Sequence, residues 1–426
     1  MVVAPLDDNR EGELRNLLAS MNHRPGVVNP QNTIVPFGQF GRLHFARFLV
    51  LHDQTKDDIK QHGVLPPSVV TSLAFLGDYD GESDEFFSDL VRRSGQGLRQ
   101  IFSHCKGFTP NCDLRQWMKD HEQPPAAMYV NWLGRTVRQI HEEHALRIAL
   151  GEYLDKSGAE LAVQSPRQIW QKLAAFAQRE VEAKRLFLTP PERTPFGWRL
   201  RNTLRLIGVP LILLLLTPAI ILYLPVFVYQ LRRREKHDPE IVPRPDREHV
   251  KRLADLEDHD VTNQFSALGG VKPGRFRRWT VTFLVWILDY GSRHVFNRGF
   301  LTRVNTIHFA RWVFLDDKQR LLFASNYDGS LESYMDDFIN KVAWGLNLVF
   351  SNGVGYPRTN WLILNGAKDE LKFKYFIRRH ELPTEVWYNA HPGIMASDME
   401  RNTRIREGVE KSFMTDDEIR NWLKLI

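Results

Sequence analysis

Two stretches of this chain carry the same alternation of apolar and polar positions. Leu43-His44-Phe45-Ala46-Arg47-Phe48 returns as Ile307-His308-Phe309-Ala310-Arg311-Trp312, and Asp53 is matched by Asp317 at the same offset. Leu73–Phe108 then aligns with Leu321–Tyr356 without a gap, placing Tyr79-Asp80-Gly81 on Tyr327-Asp328-Gly329 and Gly97-Leu98 on Gly345-Leu346. A long ungapped self-match signals an internal duplication. In each copy a β-branched and aromatic run predicts a strand, His44–Leu51 or His308–Leu315. A second strand, Ser72–Gly77 or Arg320–Ser325, leads into the Tyr-Asp-Gly turn. Tyr334, Phe338, Val342, Leu346 and Val349 recur at helical spacing, so an amphipathic helix follows the turn. Copy one continues with a helix at Leu114–Asp120 and a strand at Ala127–Val130. Copy two continues with a strand at Trp361–Leu364, a helix at Lys368–His380 and a strand at Glu385–Asn389. Closing helices are predicted at Val137–Leu150 and Ser397–Lys411.

Strands alternating with amphipathic helices in units of this size predict an α+β fold: two homologous ferredoxin-like repeats packed together, residues 1–155 and 302–426. Residues 156–301 form a helical linker in this reading. Within it Leu206–Leu231 has no charged residue and is long enough to cover the hydrocarbon slab. Arginines flank it on both sides (Arg199, Arg201, Arg205; Arg232, Arg233, Arg234), whereas a single span favours positive charge on one side. Pro218 lies near its midpoint, where a proline interrupts a helix. These features predict a re-entrant hairpin with both ends on the cytoplasmic face. Trp279–Leu288 is too short to span; with its basic flanks and two tryptophans it reads as an interfacial helix on anionic lipid.

Composition sharpens this picture. The 426 residues are 43% hydrophobic and 25% charged, with net charge +6, which is a globular composition. The basic residues gather beside apolar segments and do not interleave with aromatics along a groove. That pattern points to anionic membrane lipid and away from nucleic acid. Two cysteines are too few for a disulfide framework, and the polar Met1–Asn16 stretch lacks the apolar core of a secretory signal.

The candidate chemistry sits in the repeated strand. His44 and Arg47, like His308 and Arg311, are polar groups in an apolar run and need partners. Pairing of Arg47 with Asp80 and of Arg311 with Asp328 is the structural expectation. The His pair in His141-Glu142-Glu143-His144 has i, i+3 spacing, not the i, i+4 of a helical zinc site. No phosphate-binding glycine loop, nucleophile elbow or kinase signature is present.

The paired units resemble the dimeric α+β barrel proteins. Gly77-Asp78-Tyr79-Asp80-Gly81 resembles the Gly-x-x-Asp-Gly motif of dye-decolourising peroxidases, although copy two has Ser325 in place of the first glycine. That resemblance implies a haem enzyme with Asp80 as the distal acid and Asp328 as its counterpart. His391, whose equivalent in copy one is Trp132, would bind the cofactor as axial ligand. Arg47 or Arg311 would stabilise negative charge, and His308 would ligate or relay protons. Two functions follow as expectations: a membrane-associated oxidoreductase acting on a lipid or other apolar substrate, or a non-enzymatic lipid-binding or scaffold protein.

Overall fold

A computed structural model describes residues 1–161 and 163–426. The first half runs β1 (Val2–Pro5), α1 (Glu11–Ala19), β2 (Asn22–Arg24), β3 (Val27–Val28), β4 (Leu43–Leu51), β5 (Ser72–Tyr79), α2 (Ser83–Phe102), α3 (Leu114–Asp120), β6 (Ala127–Val130) and α4 (Val137–Leu161). The middle holds α5 (Pro166–Glu182), α6 (Phe196–His237) and α7 (Arg247–Ala254). The second half opens with β7 (Thr262–Gly270), α8 (Arg275–His294), β8 (Ile307–Leu315), β9 (Arg320–Asp328) and α9 (Leu331–Phe350). It closes with β10 (Thr359–Asn360), β11 (Leu364–Asn365), α10 (Glu370–His380), β12 (Thr384–Asn389), α11 (Ala396–Glu410) and α12 (Asp416–Leu423).

The α+β class is as expected. Two four-stranded antiparallel sheets occupy the centre, in the orders β1-β5-β4-β12 and β6-β8-β9-β7. Read from β1 and from β7, the two orders correspond strand for strand, but the closing strands are exchanged. β12 pairs with β4, Trp387 opposite Arg47, and β6 pairs with β8, Met128 opposite Arg311. The boundaries drawn at 155 and 301 therefore do not divide the sheets. β7, placed by sequence in a helical linker, pairs along its whole length with β9. Its polar, glycine-ended run Thr262-Asn263-Gln264-Phe265-Ser266-Ala267-Leu268-Gly269-Gly270 has too little alternation to announce a strand; the partner strand supplies the conformation. The strand expected at Trp361–Leu364 is instead a tight turn between β10 and β11, with Trp361 and Leu362 at positive φ.

Strand alternation explains the layers. On the outer face of the first sheet, Phe48, Val50 and Phe75 pack with Leu14 and Leu18 of α1 and Phe86 and Leu90 of α2. Trp312 and Phe323 of the second sheet meet Val281 and Val285 of α8 and Phe338 of α9. Leu49, Leu51 and Leu76 face Val313, Leu315 and Leu322 between the sheets. The closing helices α4 and α11 pack together beside α5 and α12, burying Leu146, Trp170, Ile405 and Trp422.

α6 is one continuous helix of 42 residues, and it is long and apolar enough to cross a membrane. The bend expected at Pro218 is absent. Pro210, Pro218 and Pro225 stand eight and seven residues apart, so they lie on one helix flank, and the helix runs through all three. Both ends attach to the same body. Near the start, Arg205 pairs with Asp289 of α8, and Tyr290 donates to the Leu206 carbonyl at 3.0 Å. Near the end, Phe227 and Arg234 pack on Phe276 of α8, and the buried Glu235 accepts from the backbone N–H groups of Trp361 (3.0 Å) and Leu362 (2.8 Å). Between these anchors the helix is bare: Leu222 is 82% exposed, and no residue of the most apolar stretch is buried.

Candidate functional site

The residues singled out by sequence converge where the two sheets meet, with partners that differ from those expected. Asp80 pairs with His44 (Nε2 to Oδ1, 2.9 Å), not with Arg47, and Asp328 pairs with His308 (2.7 Å), not with Arg311. The second oxygen of each carboxylate accepts the N–H at the start of a closing helix, Val137 of α4 (2.9 Å) and Ala396 of α11 (2.8 Å). A carboxylate at a helix N-terminus is favoured by the exposed N–H groups and the helix dipole. Each His–Asp pair thus ties a strand and its turn to a closing helix, twice in the same way. β-Bulges beside Leu43 and Ile307 release the two histidines from strict alternation, which is why they turn toward the carboxylates.

The arginines cross from sheet to sheet. Arg47 donates to the carbonyls of Phe265 (2.8 Å) and Ser325 (2.9 Å), to Ser266 Oγ (2.8 Å) and to the Asn326 side chain. Arg311 reaches the Gly77 carbonyl (3.1 Å) and Asp78. Asn326 Nδ2 in turn donates to Asp78 Oδ2 at 3.1 Å, so Asp78 pairs with Arg311 directly and is linked to Arg47 through Asn326. Burial pulls Arg47 down to about 10, with Asp78 acting against that and Arg311 with it. Asp78 and Asn326 escaped the sequence reading, although they occupy the same aligned position of the two repeats, one residue after Gly77 and Ser325.

His391 is 1% exposed and neither ring nitrogen has a hydrogen-bond partner. Its ring lies edge-on to His44 and Phe45, each 5.3 Å between centroids, and near His141 at 5.9 Å. Burial, reinforced by the neighbouring histidines, holds its pKa well below the ordinary value. The cavity lined by His44, His308 and His391 measures about 20 Å³, room for a single water. Haem, implied by the peroxidase resemblance, does not fit there: pockets for ligands of that size run to about 300 Å³ or more. Asp80 also has both oxygens engaged, as a distal acid would not. The glycines of the motif have local causes. A Cβ on Gly77 would stand 2.5 Å from the Phe86 ring, and Gly81 and Gly329 hold φ of +127° and +88° in the turn. Among the described residues no three His, Cys, Asp or Glu side chains gather closely enough to hold a metal ion.

Between the sheets an apolar cluster of leucines is packed, and a cavity of about 180 Å³ opens at one edge, lined by Met1, Gly77, Met128 and Arg311. A smaller apolar cavity of about 50 Å³ lies in the second half, between β7 and β9 on one side and α8, α9 and α10 on the other. Phe265, Phe323, Phe338 and Phe376 line it, and α9 departs from helical geometry beside it at Val342 (φ −143°). Its α8 wall has an outer side that carries exposed aromatics, Trp279 at 69% and Phe283 at 50%. Compared with known proteins, the chain matches no family model, no curated protein and no solved structure.

Proposed function

We propose that this protein resides on one face of a membrane and binds a lipid there, its two halves being ferredoxin-like units that have exchanged their closing strands. The observation that carries this reading is α6, an apolar helix pinned at both ends to one side of the body with its middle bare. Exposed apolar residues from Leu211 to Val226 cost far more in water than in the acyl boundary, at roughly 25 cal/mol per Å² of apolar surface. The outer aromatics of α8 extend the same surface, and the basic residues at the ends of α6 suit anionic headgroups. In this reading the His–Asp pairs and crossing arginines hold the two halves together.

The test is flotation with liposomes. Wild-type protein floats with vesicles and stays bound in 1 M salt or at alkaline pH, whereas Leu214→Asp/Leu222→Asp protein stays in the aqueous fraction (the salt level is roughly that at which the Debye length falls to ~3 Å). Release of the wild type by salt alone, or binding unaffected by the two aspartates, overturns the reading.

A further inference from the structure

The loop after β4, the start of α8 and the β8–β9 turn enclose a second pocket, of about 350 Å³. Five cations line it, Lys56, Lys272, Arg278, Lys318 and Arg320, against one carboxylate, Asp53. Asp53 is already engaged, its Oδ1 accepting from the N–H and hydroxyl of Thr55 at 2.9 Å each. Lys272 is held by Asp238 at 3.0 Å, and Arg320 by Asp316. Among the described residues Lys56, Arg278 and Lys318 form no ion pair. Arg320 is 4% exposed, and its Nη1 is buried with no hydrogen-bond partner. Leaving a guanidinium N–H unsatisfied in a protein interior is costly, so an acceptor is missing from this wall. α8, 20 residues long, starts from Gly274 with no side-chain cap and no acidic residue in its first turn, so its free N–H groups add to the positive field. Beside these cations the pocket carries an apolar rim, Val64 and the 86% exposed Leu65.

Resting on the membrane reading above, we propose that this pocket binds the phosphate of an anionic amphiphile, whose chain leaves the pocket past the exposed Val64 and Leu65 on its rim. Several converging cations with an arginine fork match a phosphate's multiple oxygens and charge better than a zwitterionic headgroup. The position suits the source: Arg278 and Trp279 are consecutive residues on the exposed end of α8, and the Lys318 ammonium lies 5.8 Å from the Trp279 ring.

Calorimetric titration in neutral detergent tests it with three probes: lysophosphatidic acid, lysophosphatidylcholine and inorganic phosphate. Wild-type protein should bind the phosphate monoester at least about tenfold more tightly than the choline ester, a difference of about 1.4 kcal/mol. Lys56→Gln/Lys318→Gln, at two positions outside the core, should lose that preference while keeping the wild-type thermal melt. Arg320→Gln should lose it as well. Equal affinity for the two amphiphiles, or a preference that survives the double substitution, overturns the proposal. Inorganic phosphate binding as tightly as the monoester overturns the role of the chain and leaves a site for a free phosphate. Failure of the membrane reading shows separately, as wild-type protein that does not float with neutral vesicles.

Discussion

At the scale of single residues, the buried polar groups divide by whether their hydrogen bonds are complete. His44 and His308 each donate to a carboxylate that also caps a helix, while His391 makes no hydrogen bond with either nitrogen. With its folded pKa below the ordinary 6.5, the native His391 resists a proton that the unfolded chain accepts. The unfolded state therefore binds more protons as pH drops through 6.5, and stability present above that pH is lost below it. Urea unfolding of His391→Leu should show a weaker loss between neutral and mildly acidic pH than wild type. At pH 7.5 its stability should stay within about 1.5 kcal/mol of wild type, because no hydrogen bond is given up. A loss above about 3 kcal/mol at neutral pH would reveal a partner on the ring. The repeated His and Arg were legible as groups needing partners. Which partner each takes was not, because a bulge of one residue redirects a side chain and leaves no mark in the hydrophobic pattern.

At the scale of elements, α6 shows what composition says and what it leaves open. Its apolarity and length were evident, as were the basic ends. Whether three prolines turn the chain back or leave the helix unbroken depends on their angular spacing and on what holds the helix ends. The 21 residues from Leu206 to Phe227 cover about 31 Å, yet their anchors Tyr290 and Phe276 are 14 residues, about 21 Å, apart on α8. The middle of α6 is exposed between these two contacts. If this docking persists in lipid, both ends of α6 lie on one side of the membrane. Cysteines placed by Arg201→Cys and Lys236→Cys, each in a Cys105→Ala/Cys112→Ser background, should react with a membrane-impermeant maleimide from the same side of sealed vesicles. Labelling from opposite sides would show that α6 spans and that its docking on α8 does not persist in lipid.

At the scale of the whole molecule, the exchange of β6 and β12 makes the two halves one folding unit. Residues 1–155 alone would leave β4 without β12 and carry β6 without β8. Residues 302–426 alone would lack both β6 and β7. Unpaired strand edges invite association. Each fragment expressed separately should be aggregated or self-associated and lack a cooperative unfolding transition, by size-exclusion chromatography and thermal melting. A monomeric, sharply melting 1–155 fragment would mean that the closing strand can return to its own half.

Local chemistry explains which properties could be read along the chain. Periodicity set the main strands and helices, self-similarity aligned the two halves, and an uncharged run of 26 residues between arginines marked a long apolar helix, because each is a property of neighbouring residues. The exchanged strands, the crossing arginines with Asp78 and Asn326, the polar strand β7 and the cationic pocket bring together residues distant in sequence, strand partners among them standing from 50 to more than 300 positions apart. They depend on which edges meet and which charges are left unpaired once water is excluded. Those outcomes belong to packing and desolvation in three dimensions, so only the tertiary structure decided them.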